Sequence, residues 1–361
     1  MRVVVLPADE TGCGMYRLVW PAHLLKQARP DWQVEVYRPG DLMVGKHPDG
    51  SLAAVQGIDL DGIDLMVMQR VGSRTYLELL RAVQKRGTAV VLDADDALWA
   101  IHRDNTAHKV WNHPRSGVSW RTMDQAAKEA DLVTVTTDAL ARRYGAHGRV
   151  EVIPNRVPAS VVGAPSIKVE DAPVTFGWSG FVGTHPADLH VMGDAPQRLL
   201  LEHPEVHARI IGDARGIQEA WDLDLDAVGD RVSATGAVKF ENYPVALTLL
   251  DVGVVPLEDS VFNRAKSALK AAEYAAQGVP AVVTPTPANR QLAEEGYPLA
   301  FASTPVQWVE QIRCLLRVPE YREQVSSESL AAAQAHTMEN HLGEWEQAWL
   351  RAANRRARLA V

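Results

Sequence analysis

The sequence predicts an α/β protein with two Rossmann-like, doubly wound domains that face a common cleft. Short β-branched runs alternate with longer segments of helical periodicity, as in βαβ units around a parallel sheet. This alternation occurs twice, and residues 158–172, which are poor in periodicity, separate the two series as a linker. The 361 residues also suffice for about two domains of roughly 150 residues each.

The first series predicts a domain over residues 1–157. Its predicted strands are Val3–Leu6, Gln33–Tyr37, Leu65–Gln69, Ala89–Leu92, Leu132–Thr136 and Val150–Ile153. Its helices are predicted near 16–28, 74–86, 120–129 and 138–144. Because parallel sheets bind ligands at the carboxyl ends of their strands, this edge is the expected site.

The second series predicts a domain over residues 173–337. Its predicted strands are Val174–Trp178, Ala208–Ile211, Val232–Thr235, Val252–Pro256 and Ala281–Thr284. Residues 338–361 form a separate terminal segment in which apolar residues recur at spacings of three and four. That spacing predicts a helix that packs one face on a domain.

Composition and charge limit the classes of function. Apolar residues make up 47% and charged residues 23% of the chain, which excludes a disordered or fibrous protein, and no apolar run approaches the ~18 residues of a membrane span. With only Cys13 and Cys314 and no secretory leader pattern, we expect a protein of the reducing cytoplasm. The net charge of −8 divides into +1 for residues 1–160 and −9 for the remainder, so the halves should meet different partners.

A glycine loop, Gly12-Cys13-Gly14, follows the first strand and opens a helix. Its backbone amides suit an anion or a close substrate approach, although a plain tight turn is the alternative. A nicotinamide-binding fingerprint is not met, because the third glycine position holds Arg17.

The second domain carries a more specific pattern. Trp178-Ser179-Gly180 leads through a glycine-rich turn to a predicted helix start at Pro186, and these amides suit a diphosphate unless His185 and Asp188 only cap the helix. Further on, Lys266 and Glu273 lie seven residues apart and share a helix face that we expect to be solvent-facing. A lysine suits a phosphate and a carboxylate suits ribose hydroxyls, whereas an exposed salt-bridged helix is the alternative.

Taken in order, these motifs resemble the nucleotide-sugar half of GT-B glycosyltransferases, especially the retaining family-4 type. The resemblance also includes Ile211-Gly212-Asp213, Gly236-Ala237-Val238, the segment Asn263–Glu273 with Gly278-Val279-Pro280, and Val152–Val157. It implies a nucleotide-sugar co-substrate, a UDP- or GDP-sugar, with no tightly bound cofactor and no metal. It also implies that the terminal helix crosses back to the first domain.

The resemblance assigns the donor site residue by residue. The residues that it implies for donor binding are Gly12, Gly14, Ser179, Gly180, Asp213, Val238, Lys239, Asn263, Lys266, Ser267 and Glu273. The chain departs from the family pattern at two places. Residues 181–188 lack the usual Arg and Lys pair after the glycine turn, which leaves Arg264, Lys266 or Lys270 to supply that charge, and the first carboxylate of Glu-x7-Glu is replaced by Ala265. The departure at Ala265 keeps a second class open, a catalytically silent GT-B-like binding module, and a sugar-nucleotide epimerase is a further alternative.

The predicted catalytic residues are Asp93, Asp95 and Asp96, which follow a buried strand at its carboxyl end. Clustered carboxylates serve as a base or accept hydrogen bonds from hydroxyls, and the alternative is that Asp95 or Asp96 caps the next helix. If transfer is retaining, no strong base is needed and the carboxylates orient the acceptor.

Residues 98–123 combine tryptophans with four cations and a single acid, Asp104. The predicted acceptor-binding residues in this segment are Trp99, His102, Arg103, Lys109, Trp111 and Arg115. Cations interleaved with aromatics suit a phosphate-bearing acceptor, including a flipped, modified base in DNA. A glycan, a lipid headgroup or a protein side chain is equally compatible, and a long helical insertion with buried tryptophans is the alternative without a ligand.

Overall fold

The computed structural model describes residues 1–113 and 115–359. The first half forms a six-stranded, fully parallel sheet in the order β2-β1-β5-β6-β7-β8. Its strands are β1 (Arg2–Leu6), β2 (Gln33–Val36), β5 (Leu65–Gln69), β6 (Ala89–Ala94), β7 (Leu132–Val135) and β8 (Val150–Val152). The central strands are buried on both faces, which explains their continuous runs of Val, Leu and Met.

Helices cover both faces of this sheet. They are α1 (Gly12–Gly14), a π-helical turn (Met15–Val19), α2 (Trp20–Ala28), α3 (Arg74–Lys85), α4 (His108–Trp111), α5 (Trp120–Glu129) and α6 (Asp138–Tyr144). Side-chain caps at Ser73, Ser119 and Thr137 accept backbone N–H groups and start α3, α5 and α6. The predicted helix near 16–28 is one continuous helical segment from Gly12, with a π-helical stretch inside it.

An antiparallel hairpin was not predicted from the sequence. Its strands are β3 (Met43–Lys46) and β4 (Leu52–Gln56), with a register shift between Gly45 and Lys46. Only one of its faces is partly buried, so the apolar alternation that identifies a strand is weak here.

The second half forms another six-stranded parallel sheet, in the order β11-β10-β9-β12-β13-β14. Its strands are β9 (Thr175–Phe181), β10 (His207–Asp213), β11 (Val232–Ala234), β12 (Val252–Val255), β13 (Ala281–Val283) and β14 (Ala300–Phe301). The two-residue β14 was too short to be predicted. The two sheets together confirm the predicted pair of Rossmann-like α/β domains.

The helices that flank the second sheet are mostly short. They are α7 (Ala195–Glu202), α8 (Ile217–Ala220), α9 (Leu225–Val228), α10 (Tyr243–Leu247), α11 (Val261–Arg264), α12 (Leu269–Ala276), α13 (Pro287–Glu294), α14 (Pro305–Arg317) and α15 (Pro319–Ala335). The predicted helix start at Pro186 is wrong, because residues 182–184 and 189–192 form 3₁₀ turns and the α-helix begins at Ala195.

The terminal helix α16 (Leu342–Leu359) packs on the first sheet, as the fold prediction required. Trp345, Ala348, Trp349 and Ala352 are buried against that sheet and α2. The indole of Trp349 stacks on Trp32 at a centroid distance of 6.4 Å. The spacing of apolar residues in the sequence therefore marks the face that joins this helix to the first domain.

In the part of the chain that the structure describes, no helix combines the length and the apolar character required to cross a membrane.

Candidate active site between the domains

The carboxyl ends of the two sheets meet along an interdomain cleft, and hydrogen bonds join its walls. Asn155 Nδ2 donates to Ser267 Oγ at 2.9 Å, and Thr137 Oγ1 donates to the carbonyl oxygen of Ala265 at 2.9 Å. On the other side, Asn105 Nδ2 donates to the carbonyl oxygen of Thr184 at 2.7 Å. The structure therefore brings the predicted donor motif of one domain against the predicted acceptor segment of the other.

The Gly12-Cys13-Gly14 loop is held by a carboxylate that precedes it. Asp9 Oδ1 accepts hydrogen bonds from the backbone N–H groups of Thr11 and Gly14, each at 3.0 Å. A Cβ at position 14 would lie 1.9 Å from the carbonyl oxygen of Asp9, so only glycine fits there. Gly12 has open space around its Cα, consistent with a loop that receives another group.

Asp93 lies inside the first domain rather than in the cleft. Its carboxylate is 1% exposed and pairs with Arg17, with Nη2 and Oδ2 at 2.8 Å, and it accepts the Thr134 hydroxyl at 2.7 Å. Arg17 also donates to Ile153 O and Asn155 Oδ1. Because all of these contacts are internal, the prediction that Asp93 acts on the acceptor is wrong, and we assign it a structural role.

Arg70 occupies the center of the acidic cluster. Its Nε and Nη2 each lie 2.6 Å from an oxygen of Asp95, and Nη2 also donates to Asp96 at 3.1 Å and to Cys13 Sγ at 3.0 Å. Arg70 has a backbone φ of +50°, a conformation that residues other than glycine rarely adopt. The bidentate pair and the unusual backbone both fix this guanidinium against the glycine loop.

Of the three predicted carboxylates, Asp96 is the most open. Its side chain is 26% exposed, compared with 6% for Asp95. Burial and the neighbouring Asp95 raise the pKa of Asp96, whereas Arg70 and Lys266 oppose the rise. Asp96 thus lies between the cations of the two domains.

Cys13, Asp95 and Asp96 present ligand atoms within 4.8 Å of one another. The same oxygens and sulfur already accept hydrogen bonds from Arg70, which places a positive charge at the position that a metal would need. We therefore propose no metal site at this cluster.

Glu273, on α12, is the center of a second polar cluster and is only 9% exposed. The predicted solvent-facing position of this residue is wrong, because tyrosines cover it. The Tyr243 hydroxyl donates to Glu273 Oε2 at 3.2 Å and is also 2.9 Å from Ser179 Oγ. Burial raises the pKa of Glu273, while Lys270 and the hydroxyls of Tyr16 and Tyr243 counteract that rise.

Ser179 is fully buried, its hydroxyl is engaged by Tyr243 and Tyr274, and its backbone N–H donates to the Tyr274 hydroxyl at 2.9 Å. Its predicted direct contact with the donor is therefore wrong. Lys270 donates to the carbonyl oxygen of Ser179 and lies 3.3 Å from its Oγ. Desolvation by burial lowers the pKa of Lys270 to about 8. Gly180, which follows Ser179, has a φ of +143°, and the close approach of the Trp178 ring leaves no room there for a Cβ.

A hydrogen-bonded cluster next to the glycine turn contains His185, Asp188 and Asn263. His185 Nδ1 lies 2.7 Å from Asp188 Oδ2, and Asp188 Oδ1 accepts from Asn263 Nδ2 and from the backbone N–H of Glu258. Burial lowers the pKa of His185 to about 4, so this imidazole is neutral. Asn263 is 3% exposed. Its predicted direct contact with the donor is therefore wrong, and its amide instead positions α11.

The other predicted donor residues are spread along the second-domain wall. Lys266 precedes α12, and its Nζ lies 5.1 Å from the Phe262 ring centroid. Asp213 ends β10 and pairs with Arg215. Val238 and Lys239 directly precede Phe240, which lines a cavity between the domains. That cavity, of about 310 Å³, lies between the domains and is walled by Tyr16, Trp20, Phe240 and Tyr243.

The predicted acceptor segment is not one long helix. It contains the short turn Leu98–Ala100, α4 and irregular backbone. Trp99 is half-buried and packs edge-on against Tyr144 beneath the Arg143 guanidinium, and its acceptor contact stays a prediction. His102, Arg103, Lys109 and Arg115 are exposed.

Trp111 lines a cavity of about 390 Å³ in the first domain, at the carboxyl ends of β1, β2 and β5. Its other walls include Asp9, Arg38, Arg70 and Tyr76. The cavity adjoins the loop that holds Gly14, and one side of it is the Arg70 cluster. It is therefore placed next to the interdomain cleft.

Comparisons with known proteins support the fold and the family resemblance. Residues 176–317 match the model of the family described as glycosyl transferases group 1. The predicted group 1 glycosyltransferase resemblance is confirmed. A search of curated protein sequences gave no match.

Solved structures of GT-B proteins share the fold of nearly the whole chain. Sucrose-phosphate synthase from Thermosynechococcus elongatus is 13% identical, with coverage of 97% of this chain and 98% of that chain and a TM-score of 0.67. HepE from Anabaena, solved with UDP and glucose, is 13% identical, with coverage of 97% and 99% and a TM-score of 0.61. The pneumococcal O-GlcNAc transferase GtfA is 13% identical over 80% of this chain and 56% of that chain, with a TM-score of 0.54. At this identity the likeness shows the fold.

Sequence reasoning missed Arg70, Tyr16 and Tyr243 as members of the candidate site. Arg70 directly follows β5, and this position is the one sequence feature that could have indicated it, since the carboxyl ends of parallel strands face the cleft. The two tyrosines reach Glu273 from different elements, α10 and the π-helical turn, so no local pattern predicts their meeting.

Proposed function

We propose that this chain transfers a sugar from a nucleotide-sugar donor to an acceptor hydroxyl. The observation that carries the proposal is that Lys266 and Lys270 lie near Glu273 in one domain, while Lys266 faces Asp96, which forms a cluster with Cys13 of the glycine loop in the other. Cations suit a diphosphate, and a carboxylate suits ribose hydroxyls. HepE and GtfA were both solved with UDP, which supports a UDP-sugar as the first donor to test.

In this proposal the donor lies along the second-domain wall. Lys266 and Lys270 neutralise the diphosphate near the Gly180 turn, and Glu273 accepts from the ribose once Tyr16 makes room. The aromatic cavity at Tyr16, Trp20 and Phe240 receives the nucleobase. Ala265 is buried beneath Thr137 and offers no carboxylate, so the sugar hydroxyls need other partners.

We also propose that transfer retains the anomeric configuration. Asp93 and Asp95 are both held by arginines, so neither is free to remove a proton from the acceptor. The leaving phosphate then takes the acceptor proton, and Asp96 orients the acceptor hydroxyl. Proton NMR of the first product formed distinguishes the outcomes, since an inverted anomer would contradict retention.

For the acceptor, we propose a modified base in DNA. Arg103, Lys109 and Arg115 are exposed, and no described residue forms an ion pair with them, so they are available to phosphates. Transfer of a labelled sugar to duplex DNA that contains hydroxymethylated bases, with binding that weakens as salt rises, is the expected result. Transfer to a glycan, lipid or protein but not to DNA would contradict it.

The alternatives give different outcomes in the same assay. A silent binding module would bind the donor without hydrolysis or transfer, and an epimerase would change the donor sugar without an acceptor. Both cysteines are free thiols, which fits the proposed reducing cytoplasmic location.

A further inference from the structure

The first-domain cavity is lined mainly by aromatic and aliphatic side chains. It measures about 390 Å³, within the range of small-molecule pockets, and lies beside the glycine loop of the cleft. Tyr37, Tyr76 and Trp111 supply aromatic surface, and Leu42, Met68 and Val118 supply aliphatic surface. Such walls favour a ring-shaped ligand.

The three charged residues that line the cavity already have partners. Asp9 accepts backbone N–H groups of its own loop, and Arg70 pairs with Asp95 and Asp96. Arg38 is mostly exposed and forms only a solvent-exposed pair with Glu10 at 3.4 Å. Gln69 is likewise engaged, since it accepts from Ala8 N and donates to Cys13 O. An anionic group inside the cavity would therefore meet only the Arg70 guanidinium, which already pairs with two carboxylates, whereas Arg38 offers its charge on the solvent-exposed side.

The Trp111 and Val118 side chains, which line this cavity, pack closely against Gly72. A Cβ added at Gly72 would lie 2.4 Å from Cζ3 of Trp111 and 2.7 Å from Cγ1 of Val118. Ser119 N also donates to Gly72 O at 2.8 Å. The position of the Trp111 ring thus depends on a glycine at residue 72.

We infer that this cavity binds the acceptor as an uncharged, hydroxyl-bearing ring, and that any phosphates attached to the ring stay outside at the exposed cations. The inference rests on the proposed function and specifies the chemical class that its acceptor site takes. Trp111 and Tyr76 contact the ring, and the Tyr76 hydroxyl, which has no partner among the described residues, is available to the ligand.

Calorimetric titration with matched pairs of probes tests this inference. The probes are 5-hydroxymethyl-2′-deoxycytidine with its 5′-monophosphate, and methyl glucoside with methyl glucoside 6-phosphate, each added to protein saturated with UDP. We expect at least one neutral probe to bind, and its phosphorylated partner to differ by less than about twofold. A phosphorylated probe that binds more than tenfold tighter than its neutral partner, or no binding of either neutral probe, would overturn the inference.

Variants place the binding at this cavity. Trp111→Ala and Gly72→Ala should each weaken the neutral probe at least fivefold, whereas Trp111→Phe restores most of the affinity. Tyr321→Ala, which removes an exposed aromatic side chain in the second domain, is the matched control. Unchanged UDP affinity in all four variants shows that the fold and donor site are intact.

The two proposals fail separately. If wild-type protein binds UDP and hydrolyses a donor but Trp111→Ala binds the neutral probe as wild type does, the cavity assignment alone is wrong. If no nucleotide binds while the neutral probe does, the proposed transfer function is wrong.

Discussion

Arg70 and Asp95 are joined by two hydrogen bonds of 2.6 Å at the carboxyl edge of the first sheet. The same guanidinium reaches Asp96 and Cys13, so one residue connects the open carboxylate to the glycine loop. The two hydrogen bonds to Asp95 stabilise Arg70 in a backbone conformation with a positive φ. Because Arg70 pairs with both Asp95 and Asp96, these two carboxylates are not free.

Replacement of Arg70 should therefore cost both stability and activity. Arg70→Ala leaves Asp95 unpaired in a buried position, and we expect a loss of about 3–5 kcal/mol in the free energy of unfolding. Urea unfolding measures this loss. The double variant Arg70→Ala/Asp95→Asn should recover part of it, because it removes the unpaired charge, and absence of any recovery would contradict the pairing.

Substitutions of Asp93 and Asp96 should change the free energy of unfolding by different amounts. Asp93→Asn breaks the buried pair with Arg17 and should lower the free energy of unfolding by about 3–5 kcal/mol. Asp96→Asn should change it by less than about 1 kcal/mol, because its pair is more exposed.

Kinetics complete this comparison. Asp96→Asn should reduce kcat while donor affinity stays within about twofold, since it acts on the acceptor. If Asp96→Asn has wild-type turnover, its role is confined to holding Arg70.

Donor binding should depend on pH through Lys270. Its pKa of about 8 in the unliganded protein means that the ammonium is present below pH 8 and lost above it. Because a diphosphate binds the protonated form, affinity for a UDP-sugar should be nearly constant from pH 6.5 to 7.5 and should fall above pH 8, approaching about tenfold per pH unit. Calorimetric titration at each pH measures this. Lys270→Arg, which stays charged, should bind with little pH dependence, and an equal slope in both proteins would exclude Lys270.

The sheet strands were predictable because parallel, doubly covered strands read as continuous apolar runs. Leu65–Gln69 matches its predicted bounds, and most others differ by one to three residues. The helix at 120–129 also matches, since Ser119 supplies a clear cap. The hairpin Met43–Gln56 has no such pattern and was missed.

The site was less predictable than the fold. The order of motifs located Lys266 and Glu273, but not the burial of Glu273, because Tyr16 and Tyr243 come from distant parts of the chain. For the same reason Asp93 was misassigned, as its partner Arg17 lies 76 residues away in sequence. Position at a strand end indicates direction toward the cleft, whereas pairing inside the domain depends on tertiary contacts.

The measurement that tests the central claim most directly is calorimetric titration of the wild-type protein, Lys266→Ala and Glu273→Gln with UDP-glucose and GDP-glucose. Glu294→Gln, which changes an exposed carboxylate on α13, is the matched control, and circular dichroism verifies that each variant folds. We predict that wild type and the control bind one of the two donors equally, and that each site variant binds it at least tenfold more weakly, a difference of about 1.4 kcal/mol. Equal affinity in all four proteins, or no binding of either donor by wild type, would contradict a nucleotide-sugar site at Lys266 and Glu273.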